Sequence, residues 1–234
     1  MKNDQQKELV GTARITGVWY LMLAITGMVG FLMLHSRIYV AGDPSKTLAN
    51  LAEHETLARI RLLFEFLIVL SQALAAVWFY KLFKDIRHVA AWALAAWGMM
   101  NAAAIMISAM AMGGAINVAS STQVLDEKMI MIQIFDQFIK NAWGVGSLFF
   151  GLWLIPMGYI VVSSRRMPVW LGRVLILGGC GYLASTFIQY MGVSGAWVEM
   201  LVIPATAGEF WMIAYLLIFG IRPGSGSNGR NMPD

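Results

Sequence analysis

The chain has 234 residues, 59% of them hydrophobic and 13% charged, about half the charged share of an ordinary soluble domain. Its apolar residues gather into stretches near or above the roughly 20 residues that cross a bilayer as a helix, which excludes a water-soluble globule and implies a polytopic membrane protein. In such a chain the net charge of +4 is first a topology signal, so it implies no nucleic-acid partner.

Six spans are predicted, over residues 14–34, 60–83, 89–112, 142–162, 169–191 and 200–221, giving an all-α transmembrane bundle in one domain (1–221) with a disordered cytoplasmic tail (222–234). Lys2, Lys7 and Arg14 before the first apolar run imitate a secretory signal. The run over 15–34 is nevertheless longer than a typical h-region, and no A-x-A-like site precedes His35, so it reads as a retained first span. In the following connection, 45–55 has the look of a short interfacial helix, with Leu48, Leu51 and Ala52 at helical spacing. The connection before the fourth span is amphipathic from Ser121 to Lys140, with Val124, Met129, Ile132, Phe135 and Ile139 near one face. It predicts a helix capped by Ser121 or Thr122 that runs outward from the fourth span without a break.

The third span carries Ala95, Gly98, Ala102, Ala103 and Ala104. The fifth carries Gly172, Gly178, Gly179, Gly181, Ala184 and Ser185. Both are small-residue faces suited to close packing, within one chain or in a homo-oligomer. Pro156 and Pro204 predict bends in the fourth and sixth spans. The single cysteine, Cys180, excludes an intramolecular disulfide and a cysteine zinc cluster, and reads as a small packed hydrophobe. Eleven Lys and Arg residues fall on the side of the two termini and six on the other, which places both termini in the cytoplasm.

Ionisable groups at membrane depth cost at least ~2.5 kcal/mol at a helix centre, so each requires a partner, water or a changed protonation state. Glu209 lies near the middle of the sixth span with Thr206 one turn before it, either as a ligand- or proton-binding carboxylate or as a group hydrogen-bonded to a neighbouring helix. Arg61 and Glu65 are four apart at the outer end of the second span, with Arg59 just above; Asp136, Lys140 and Asn141 occupy a comparable level on the fourth helix, and Gln189 on the fifth. If these faces converge, a polar cavity opens outward with Glu209 at its floor. The alternative is a set of salt bridges that help the helices assemble.

Catalytic classes find little support. His54-Glu55 lacks the second histidine of HExxH, and His35, His54 and His88 lie at span ends or in connections, so neither a metal site nor a haem is implied. No Gly-x-Ser-x-Gly or P-loop sequence occurs, and no cofactor is expected.

The order of short motifs has a counterpart among known families. Arg14-Ile15-Thr16-Gly17 opens the first span and Arg37-Ile38-Tyr39-Val40-Ala41-Gly42-Asp43 follows it. Then come Phe135-Asp136, Phe149-Phe150-Gly151-Leu152-Trp153, Gly158-Tyr159, Ser164, Met167-Pro168, Leu171-Gly172, Gly181-Tyr182 and Gly208-Glu209. In order and spacing this resembles the bacterial membrane-protein family of domain of unknown function 4386, from about the first span to the last. The resemblance implies a six-helix protein of the bacterial inner membrane, and brings no substrate or catalytic residue with it. The expected function is binding or transport of a small amphiphile, lipid headgroup or cation; the alternative is a membrane accessory or scaffold protein whose buried polar residues are structural.

Overall fold

In a computed structural model, residues 2–223 are described; the predicted tail therefore lies, from residue 224 onward, outside the described residues. Helix α1 (Lys2–Gly27) widens into a π-helical segment over Met28–His35 and returns to α-helix in α2 (Ser36–Ile38). After it come α3 (Pro44–Glu53), α4 (Glu55–Phe83), α5 (His88–Ala119), α6 (Leu125–Ser164), α7 (Val169–Tyr190), α8 (Ala196–Met200) and α9 (Ile203–Ile218). No strand occurs among the described residues. Six helical stretches are long and apolar enough to cross a membrane, with α1 to α2 forming the first and α8 with α9 the sixth. The start of α1 and the residues just after α9 lie at the same end of the bundle, where Gln6 Nε2 donates to Ile221 O at 2.8 Å.

Local signals explain where several helices begin. Asp43 caps α3, its Oδ1 accepting from Lys46 N at 2.8 Å, with Pro44 in the first turn. The face of α3 that is buried consists of Thr47, Leu48 and Leu51, while Ala52 is exposed. Leu48 and Leu51 join Ile38, Met112, Ile116, Ile132 and Ile139 in a small core of their own. The short helix thus closes the end of the bundle, packing on α5 and α6 rather than presenting its apolar face to an interface.

Helix α6 is continuous for 40 residues, about 60 Å at 1.5 Å per residue, and merges the amphipathic stretch with the fourth span as the periodicity predicts. Its start differs from expectation. Val124 is the N-cap and no side chain caps the helix; Ser121 Oγ instead donates to Val118 O at 2.8 Å. Lys128 Nζ reaches back to Ala119 O at 3.3 Å and to Ser121 O, satisfying carbonyls at the end of α5.

The glycine faces pack within the chain. On α6, Gly151 and Gly158 are seven residues apart, matching Gly179 and Gly172 on antiparallel α7. A Cβ at Gly151 would lie 2.9 Å from Gly179 O, and one at Gly179 would lie 2.8 Å from Gly151 O; Gly158 and Gly172 oppose each other in the same way. Backbone therefore meets backbone along this seam. Gly178 receives Ala205, and Gly181 receives the carbonyl of Leu201. That carbonyl belongs to the turn at Leu201–Val202 that divides α8 from α9. Pro204 stands in the first turn of α9, so it opens a helix instead of bending one. Cys180, beside these glycines, is exposed on the outer face of α7 rather than packed.

Candidate functional site: an intramembrane cavity with a carboxylate

Helices α1, α4, α5, α6, α7 and α9, with the π segment, enclose a cavity of about 360 Å³, within the range of small-molecule sites. Near the chain ends α1 and α9 are in contact: a Cβ at Gly17 would lie 3.0 Å from Leu216 Cβ, and Gly220, at φ +68°, packs against Val10. Toward the α3 end, beyond Tyr20 and Glu209, the cavity lies between the two helices. It is bordered there by the exposed side chains of Met28 and Leu32 on the π segment and Phe210 on α9.

Glu209 is half-buried and lines this space. The Tyr20 hydroxyl donates to its Oε1 at 2.7 Å; its Oε2 accepts no hydrogen bond from any described residue. Thr206, one turn earlier on α9, also lines the cavity, and its hydroxyl faces Val202 O at 3.5 Å. Tyr20 is held by a cluster of rings, with centroids 5.4 Å from Phe79 and 5.9 Å from Trp153. Trp153 is fully buried over Gly98, where a Cβ would overlap the indole. Phe150 stacks on Trp153 and meets the Tyr182 ring edge-on at 5.5 Å. The cavity thus ends on packed aromatic rings, and none of its described lining residues is Lys, Arg or His.

A second polar group is sealed inside the protein. Arg61 and Glu65 are 0% and 1% exposed, with Nη2 donating to Oε1 at 3.0 Å. The same carboxylate oxygen accepts from Ser108 Oγ at 2.6 Å and from Trp143 Nε1 at 3.4 Å, joining α4, α5 and α6. Arg61 Nε and Nη1 and Glu65 Oε2 have no hydrogen-bond partner among the described residues. About two turns deeper, Asn101 Nδ2 donates to Gln72 Oε1 at 3.2 Å between α5 and α4. An aromatic ladder borders the group: Trp143 stacks on Phe31 at 4.0 Å, Phe31 on His35 at 5.0 Å and His35 on Tyr39 at 4.6 Å. The Arg61 guanidinium sits 5.8 Å from the Tyr39 centroid. Trp143 and Phe31 also line the cavity, so the buried group and the cavity share a wall.

The remaining predicted site residues lie elsewhere. Asp136 and Lys140 form an ion pair at 2.5 Å on α6 and border a smaller pocket of about 90 Å³ beneath Asp43 and Thr47. Arg59 is exposed and pairs with Glu55 at 2.6 Å; residues two apart on a helix point about 200° away from each other, which turns Arg59 from Arg61. Asn141 is exposed and accepts from the Tyr190 hydroxyl at 3.3 Å. Gln189 is exposed and donates to Ser185 Oγ at 3.2 Å. Of the predicted residues, Glu209 and Thr206 line the main cavity, Glu65 adjoins it through Trp143, and the others do not enter it.

Sequence reasoning passed over Tyr20, Trp143, Gln72, Asn101 and Ser108. Gln72 and Asn101 were detectable, since side-chain amides at membrane depth require partners as charges do. Tyr20 carries a weaker form of the same signal, a hydroxyl inside a span. Ser108 carries none, because a serine in a helix satisfies itself on the preceding turn.

No solved structure matches the chain. A protein of Archaeoglobus fulgidus described as an uncharacterized protein is 33% identical over 48 residues, 20% of this chain. The match spans 30% of that protein's length. The sequence profile described as domain of unknown function (DUF4386) matches residues 15–220, nearly the whole of the helical bundle described above. The chain belongs to the DUF4386 family.

Proposed function

We propose that this multi-pass membrane protein binds, and by binding transports or senses, a small amphiphilic molecule held in the cavity at Glu209. The observation that carries the proposal is one oxygen of the half-buried Glu209 carboxylate, without a hydrogen-bond donor among the described residues, in a largely apolar and aromatic cavity. An apolar volume with a few convergent polar groups is the usual form of a ligand site. Tyr20 fixes the carboxylate and Thr206 supplies a second polar atom; Asn101, Ser147, Tyr182 and Trp143 add further polar groups to the lining. In the bacterial inner membrane that the resemblance implies, the excess of Lys and Arg on the side of the termini supports their placement in the cytoplasm, which directs the cavity toward the outer leaflet.

The test is native mass spectrometry of the detergent-purified protein beside Glu209→Gln, with thermal unfolding as the folding control. A molecule of defined mass retained by the wild type and lost from a stably folded variant is the expected result. Equal spectra from two folded proteins sink the proposal.

A second reading rests on the Arg61–Glu65–Ser108–Trp143 group, which joins three helices without access for a ligand. In that reading the polar residues serve assembly, and the protein is an accessory or scaffold in the membrane. An unstable Glu209→Gln with no small molecule on the wild type favours it.

A further inference from the structure

We infer that the ligand of this cavity is a lipophilic cation, an ammonium or other onium group carrying an apolar body, which reaches Glu209 from the hydrocarbon between the π segment and α9. The inference rests on the cavity being a ligand site and concerns the sign of the charge it accepts. Glu209 is the single carboxylate among the described lining residues, and no basic side chain faces it there. Its Oε1 is already engaged by Tyr20, leaving Oε2 as an acceptor without a donor. An anion would meet the same carboxylate with nothing to offset it; a neutral molecule would leave Oε2 unsatisfied unless it brought a donor.

The rest of the wall has the matching chemistry. Tyr20, Phe31, Trp143, Phe150, Tyr182 and Phe210 all line the cavity, and the negative faces of aromatic rings attract organic cations, most strongly where water is excluded. The apolar residues Leu23, Ile68, Ile105 and Ile213 supply a surface for the hydrocarbon body. Access fits the same class of molecule. Met28, Leu32 and Phe210 border the cavity and are exposed on stretches that lie within membrane-spanning helices, so they face lipid. A molecule that partitions into the bilayer arrives at that border already desolvated.

A matched pair of ions isolates the charge. Equilibrium binding of tetraphenylphosphonium and of tetraphenylborate, equal in shape and opposite in sign, is measured on the full-length protein in neutral detergent for the wild type, Glu209→Gln and Gly27→Trp. Gly27 lines the cavity and a Cβ there meets nothing within 4 Å, so a side chain at this position starts in open space, and thermal unfolding of the variant checks that its fold is kept. The expected result is saturable binding of the cation at least tenfold tighter than the anion, weakened tenfold or more in Glu209→Gln and abolished in Gly27→Trp.

Binding of the anion as tightly as the cation, or cation binding indifferent to Glu209→Gln, overturns the inference, while loss in Gly27→Trp would still uphold the cavity as a ligand site. Binding of neither ion to the wild type overturns the inference, and a defined molecule retained in the mass spectra would then keep the ligand site alone. Displacement of the cation by short-chain phosphatidylethanolamine but not by phosphatidylglycerol assigns the onium group to a lipid headgroup. Displacement by neither assigns it to a free amine, and displacement by phosphatidylglycerol alone overturns the inference.

Discussion

Two carboxylates four helices apart in the chain have opposite circumstances. Glu65 is enclosed with its cation and accepts from a serine and an indole, whereas Glu209 has a tyrosine and an opening. Removing one member of a buried pair leaves the other uncompensated, at a cost of about 3–5 kcal/mol. Arg61→Met is therefore expected to lower the thermal unfolding midpoint strongly, and Arg61→Met combined with Glu65→Gln to recover most of the loss. A single variant that melts with the wild type refutes a structural role for the pair. Arg59→Ala provides the contrast, since its pair with Glu55 is exposed; a change below about 1 kcal/mol is expected in the same assay. The spacing of Arg61 and Glu65 was legible in the sequence because a helix brings residues four apart together. Their burial was not, because it depends on Ser108 and Trp143 arriving from two other helices.

Among the elements, the long continuous α6 was readable from an amphipathic stretch that leads directly into the fourth span, and the six spans from length and hydropathy. The division of the sixth span was not. Pro204 is compatible with a kink inside a helix and with the first turn of a new one, and the difference is set by Gly181, which accommodates the Leu201 carbonyl from α7. The π segment has no sequence signature either; Phe31, His35 and Tyr39 form one ladder with Trp143 at one end and Arg61 at the other. Contacts at glycines give the sharpest test of this scale. Gly98→Ala places a methyl group in the Trp153 ring, and overpacking of this kind costs about 1–3 kcal/mol. The loss should be relieved by adding Trp153→Leu, as measured by unfolding of the single and double variants. Losses that simply add in the double variant, once the cost of Trp153→Leu alone is taken off, mean that the two residues are not packed as described.

For the molecule as a whole, six candidate spans are an even number, and the bond from Gln6 to Ile221 brings the start of α1 and the residues after α9 together at one end of the bundle. Reporter fusions after Asp234 and within α3 should therefore give opposite signals, with the first cytoplasmic; an extracytoplasmic signal after Asp234 reverses the orientation and turns the cavity toward the other leaflet. The seam of paired glycines between α6 and α7 has a mechanical consequence. Carbonyls and α-carbons interlocked at two levels resist sliding as well as separation, so these helices behave as a single stiff plank. By contrast, no hydrogen bond among the described residues joins the π segment to α9. The stiff edge and the border through which a guest would come and go are thus built from different pairs of helices.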